Sequence, residues 1–101
     1  MRADMGPASD IPEGGAKCFS ANLRPYALFK VNGKVYCLDN RCTHVGGPLC
    51  RGRLGAFVVQ CPLHGSRFDV RTGQVVGPPA QLSVRSYPVG IDGDRVWAEI
   101  P

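Results

Sequence analysis

The sequence predicts an all-β chain of short strands joined by turns. Three observations carry this. Thirteen glycines and nine prolines fill 22 of the 101 positions. No window of a dozen residues sustains a 3.6-residue apolar period. The longest apolar runs, such as Tyr26 to Phe29 and Ala56 to Val59, are four residues long. The length allows one domain, which buries only about 60–70% of its unfolded surface.

Taken in order, residues 1 to about 13 read as a weakly ordered arm or a first edge strand. Tyr26 to Val31 and Lys34 to Leu38 form a hairpin, because Asn32-Gly33 supplies the two positive-φ residues of a type I′ turn. Ala56 to Gln60 is a strand running into Cys61. Arg67 to Val70 is another, turned by Thr72-Gly73 towards Gln74-Val75-Val76. Gly77-Pro78-Pro79 is unfit for a central strand, since proline has no ladder donor. Ser83 to Ile91 and Arg95 to Ile100 make a last hairpin across Asp92-Gly93-Asp94. Val96, Ala98 and Ile100 share one face of its final strand; Trp97, on the other, is expected between sheets. Arg41 to Gly55 and Cys61 to Ser66 are read as loops.

Bulk properties exclude several classes. No apolar run approaches the roughly 20 residues of a membrane span. The first residues lack the apolar stretch of a secretory signal, so the expected compartment is cytoplasmic and the expected cysteine state is reduced. The net charge of +4 lies entirely between Arg41 and Gln81, where Arg41, Arg51, Arg53, Arg67 and Arg71 face only Asp69. These arginines are scattered and form no basic run, which argues against nucleic acid and leaves a docking face or a solvated surface.

The chemistry sits in the two loops. They read Cys42-Thr43-His44-Val45-Gly46-Gly47-Pro48-Leu49 and Cys61-Pro62-Leu63-His64-Gly65-Ser66-Arg67-Phe68-Asp69. Both histidines of the chain follow closely behind a cysteine, so each loop offers one thiolate and one imidazole. Such a set suits a single tetrahedral zinc, or a [2Fe-2S] cluster with two cysteines on one iron and two histidines on the other. Finger-type zinc sites pair like with like locally, whereas here each loop is mixed. Gly46, Gly47 and Gly65 let backbone N–H groups come close to bridging sulfides. Cys18, Cys37 and Cys50 match no ligand position and are expected to be passive thiols, Cys37 as a buried apolar one, with a regulatory or disulfide role the lesser reading for Cys50 just beyond the first loop.

These strings resemble the Rieske proteins, and among them the small soluble Rieske-type ferredoxins of ring-hydroxylating oxygenase systems. The resemblance runs from about Ile11 to the C-terminus and is strongest from Asn40 to Ala80. It implies stacked antiparallel sheets in a single domain (residues 1–101), with an inserted cluster-binding subdomain over about 41–81. It implies one [2Fe-2S] cluster per chain, with Cys42 and Cys61 on the inner iron and His44 and His64 on the outer, electron-accepting one. Two ferric ions, two sulfides and two thiolates sum to zero, so reduction is easier than in an all-cysteine cluster. Pro78 and Pro79 match the loop that covers the cluster, and Leu63 gives an apolar contact at the tip. High-potential members carry a disulfide at the places held here by Gly47 and Leu63, and a tyrosine where Phe68 stands. Ser66 is kept as a donor to a sulfide. These differences imply the low end of the range, on the order of −150 to −50 mV.

With both histidines used, none remains for the mononuclear iron of a terminal oxygenase or for a hydrolytic pair. The resemblance therefore implies a one-electron carrier and no enzyme by itself. The expected partners are a flavin-dependent ferredoxin reductase and a terminal, aromatic-ring-hydroxylating oxygenase, met by a monomer without membrane or nucleic acid. A small subunit of an assimilatory nitrite reductase is the alternative, and a zinc-stabilised interaction module a lesser one.

Overall fold

The computed structural model describes residues 1–44 and 46–101. Eleven strands form three antiparallel sheets among these residues. The first sheet orders β1 (Arg2–Pro7), β11 (Arg95–Glu99) and β10 (Val89–Asp92). The second orders β2 (Ala16–Ala21), β3 (Arg24–Val31), β4 (Lys34–Asp39) and β9 (Ser86–Tyr87). The third orders β5 (Arg53–Gly55), β6 (Val58–Gln60), β7 (Arg67–Asp69) and β8 (Val75–Gly77). No helix among the described residues is long and apolar enough to cross a membrane.

The middle sheet is apolar on both faces, which explains the unbroken run Tyr26–Phe29. With side chains alternating at a period of two, Ala27, Phe29 and Val31 enter one core, with Leu49, Val59, Phe68 and Val70. Tyr26 and Leu28 enter the other, with Met5, Ile11, Val96, Ala98 and Ile100. Burying each such large side chain stabilises by roughly 1.5–3 kcal/mol, so this one strand supports two cores.

The predicted hairpin forms as read: Val31 pairs Lys34, and Asn32 and Gly33 have φ of 54° and 78°. The N-terminal stretch takes the edge-strand option, with Met5 fully buried. Other expectations are corrected. Ala56 to Gln60 begins as a strand only at Val58, because Ala56 (φ 50°) occupies the turn from β5, itself a strand inside the stretch read as loop. Ser83 to Ile91 is not one strand. It breaks at Pro88, which lacks an N–H, so that β9 pairs β4 while β10 pairs β11. Trp97 does not pack between sheets. It lies half-buried against Gly90, with the Arg2 guanidinium 3.8 Å above its ring. Cys18 and Cys50 are not passive thiols; they form a disulfide that ties β2 to the 3-10 turn Leu49–Arg51.

Candidate metal centre

Three loops converge at one end of the third sheet. The first leaves β4 and closes on itself, with the Cys42 N–H donating to the Gly47 carbonyl and the Gly46 N–H to the Cys42 carbonyl, each at 2.8 Å. Asn40 and Cys50 clamp its two ends. The Asn40 carboxamide accepts the Cys50 N–H at 2.7 Å and donates to Cys50 Sγ at 2.9 Å. The second loop spans the β6–β7 hairpin, and the Cys61 N–H donates to the Ser66 carbonyl at 2.7 Å. To turn in so few residues, His64 and Gly65 both take left-handed backbone, φ 69° and 80°. The histidine's strained conformation is of the kind held at functional sites by surrounding structure. The third loop carries Pro78, Pro79 and Ala80. Its Ala80 N–H donates to the buried Ser66 Oγ at 2.9 Å, and Pro79 lines a cleft with His44 and Leu82.

The four candidate ligands come together as two unlike pairs. Cys42 and Cys61 are buried to 2% exposure and lie within mutual reach, and burial pushes the Cys61 thiol up. The Leu63 N–H points at Cys61 Sγ from 3.4 Å and acts in the opposite sense. His44 and His64 are exposed, with ring centroids 5.5 Å apart and planes at 88°. Among the described residues no three His, Cys, Asp or Glu side chains gather around one point suited to a single ion. Sulfur paired with sulfur inside and nitrogen with nitrogen outside suits two irons better than one zinc. Gly47 presses its backbone on the sulfur: a Cβ there would stand 2.7 Å from Cys61 Sγ. The donor set, the close backbone and the N–H directed at sulfur all fit a [2Fe-2S] group.

The remaining positions divide clearly. Leu63, Pro78 and Pro79 are exposed, Pro79 beside His44, while Phe68 is fully buried in the core beneath. Ser66 Oγ accepts from Ala80, which leaves its own hydrogen to be donated. Asp69, in the second motif, shapes a turn: both its oxygens meet the Arg71 guanidinium, which holds its carboxyl below the usual carboxylate range. The sequence reading misses Asn40 and the pairing of Cys50 with Cys18, a disulfide being only its lesser reading for Cys50. Spacing offers no signal for a bridge between residues 32 apart.

Residues 2–88 match the model of the Rieske [2Fe-2S] domain. The chain belongs to the Rieske family. Among its relatives is the ferredoxin component of the naphthalene 1,2-dioxygenase/salicylate 5-hydroxylase systems of Ralstonia sp., 39% identical over 97 residues that cover 96% of this chain and 93% of that protein. The ferredoxin of carbazole 1,9a-dioxygenase from Nocardioides aromaticivorans superposes with a TM-score of 0.92, at 29% identity over 97% of this Rieske chain and 96% of that one. A ferredoxin solved in complex with the oxygenase of carbazole 1,9a-dioxygenase gives 0.90 at 26% identity, over 96% and 91%. A putative nitrite reductase small subunit shares the fold at 17% identity, TM-score 0.83, covering 99% of both chains, a likeness of fold alone. These matches make this Rieske chain a ferredoxin-type electron-transfer component with a Rieske-type [2Fe-2S] cluster, and not an enzyme by itself.

Proposed function

We propose that Cys42 and Cys61 hold the inner iron and His44 and His64 the outer iron of the cluster, carried by segment 41–81 of a single domain. The chain then works as a cytoplasmic monomer, taking single electrons from a flavin-dependent reductase and giving them to a terminal oxygenase that hydroxylates aromatic rings. The observation that carries this reading is the division of ligands, two thiols buried together and two imidazoles exposed 5.5 Å apart at the tip.

When bound, the [2Fe-2S] group supplies storage for one electron. The chain's residues set the conditions. The two imidazoles present their ring edges to a partner. Pro78 and Pro79 keep water from the cradle, and Leu63 offers an apolar contact. The Leu63 N–H donates towards Cys61 Sγ, and the Ser66 hydroxyl would donate to a sulfide of the bound group, which favours added negative charge. Phe68 contributes no such donor, and Gly47 and Leu63 form no cross-link, so the potential lies at the low end, on the order of −150 to −50 mV.

The test is electron paramagnetic resonance of the dithionite-reduced protein with iron and sulfide assays and a redox titration. A Rieske-type low average g-value and a potential below zero are expected, with Phe68→Tyr raising the potential. A colourless protein without acid-labile sulfide, or a wild-type potential well above zero, overturns the assignment.

A further inference from the structure

We propose that the cleft between Arg24, Arg41 and Arg85, beside the first cluster loop, is a docking site for carboxylates on an acidic partner protein. The proposal deepens the electron-carrier reading and rests on it.

Four ion pairs form among the described residues: Asp4 with Arg95, Asp10 with Lys17, Glu99 with the N-terminal ammonium and Asp69 with Arg71. Glu13 accepts the backbone N–H groups of Asn32 and Gly33. By contrast, Arg24, Arg41, Arg51, Arg53, Arg67 and Arg85 make no ion pair among the described residues. The sequence placed the excess charge in the middle third; folding adds Arg24 and Arg85 to it.

Three of these arginines converge. Arg24, Arg41 and Arg85 line one cleft of about 480 Å³ whose wall includes Cys42 and Thr43. The Arg41 guanidinium lies along Gly46 of the cluster loop, its Nε 3.6 Å from where a Cβ would be. A single carboxylate, Asp39, shares the cleft, and it is already engaged by the Tyr87 hydroxyl at 2.6 Å. Three guanidinium forks with so little internal compensation suit the bidentate geometry of carboxylates.

Two features favour a protein over a nucleic acid. No aromatic side chain lines the cleft for base stacking. Next to it, around His44 and Pro79, stands Leu82 at 69% exposure, with Leu63 at 46% on the second loop. Apolar anchors flanked by charge are how protein interfaces are built. Occupied this way, the cleft would set the partner's orientation against the exposed histidines and speed its approach at low salt.

The probe is a fluorescein-labelled octaglutamate peptide, titrated by anisotropy into the cluster-loaded protein at about 20 mM and about 150 mM salt. Arg41→Gln with Arg85→Gln should weaken binding at least about tenfold at the lower salt. Arg51→Gln with Arg53→Gln, an equal charge change on the Cys61 side, should weaken it less than about twofold. Equal losses from the two pairs, no wild-type binding at low salt, or tighter binding of a DNA duplex of matched charge would each overturn the proposal. Iron, sulfide and resonance measurements on the same samples report the carrier reading separately, so failure of one is not mistaken for failure of the other.

Discussion

Gly47 stands where the first cluster loop meets the sulfur of the second, and replacing it with alanine isolates that contact. The added Cβ would lie 2.7 Å from Cys61 Sγ and 3.3 Å from Leu63 Cγ and Cδ1. Ordinary heavy-atom contacts fall at about 3.5–4.0 Å, so the sulfur and the backbone must part by about 1 Å. Leu63 is exposed and can rotate away. Cys61 cannot easily do so, since it is buried and its N–H is bonded to the Ser66 carbonyl at 2.7 Å. Overpacking of this kind costs about 1–3 kcal/mol, equivalent to about 5–20 °C in the melting temperature of a domain this size. The loss should appear in two assays together: a lower melting temperature, and iron and acid-labile sulfide below wild-type stoichiometry. Gly55→Ala is the control, because a Cβ there meets nothing within 4 Å. A Gly47→Ala protein with full cluster content and a melting temperature within about 2 °C of wild type would refute the reasoning.

Four further outcomes are expected. Cys18→Ser with Cys50→Ser removes a bridge across 32 residues and should cost about 4 kcal/mol by loop-closure entropy. Cluster-free protein, unfolded without reductant, should then titrate three thiols in the wild type, Cys37, Cys42 and Cys61, and a count of five would sink the bridge. Burial pushes the Cys37 thiol up to about 12 from 9.0, with Asp39 adding to the shift. Below pH 9 the group is neutral in both states; above it the unfolded chain ionises first. Stability should therefore fall on the order of 3–4 kcal/mol as pH rises through that interval, and Cys37→Ala should flatten urea midpoints measured there. Leu23, fully exposed at φ 64°, holds a left-handed conformation that costs non-glycine residues about 1–2 kcal/mol, so Leu23→Gly should stabilise by about 1 kcal/mol. The Tyr26 hydroxyl is buried with no hydrogen-bond partner among the described residues; Tyr26→Phe should leave stability unchanged or raise it by about 1 kcal/mol, and a marked loss would reveal a partner.

What could be read in advance follows local rules, and what could not depends on distant chain segments. The hairpin at Asn32-Gly33 was legible because two adjacent residues carry the whole turn requirement. The two loops were legible as candidate metal loops because ligand chemistry asks for particular residues at short spacing, and the fold brings Cys42 to Cys61 and His44 to His64. Pro88 was available as a signal, yet the alternation around it masked the change of sheet from β9 to β10. The strand Ala16–Ala21 shows little apolar patterning, since as an edge strand it is stabilised by pairing with β3. The Cys18–Cys50 bridge needs the packing of β2 on a turn that follows the first loop, which no local pattern encodes. Asn40 gained meaning only when its side chain was seen to span the base of that loop.

The strand Arg24–Val31 has a final consequence for hydrogen exchange. Its odd-numbered buried residues belong to one core and its even-numbered ones to the other. Neither core can open without stripping one face of the same strand. The cluster end and the terminal sheet therefore form a single cooperative unit, and the amides at the centre of this strand should exchange only through global unfolding. An electron arriving at the tip meets loops anchored to the slowest-opening part of the molecule.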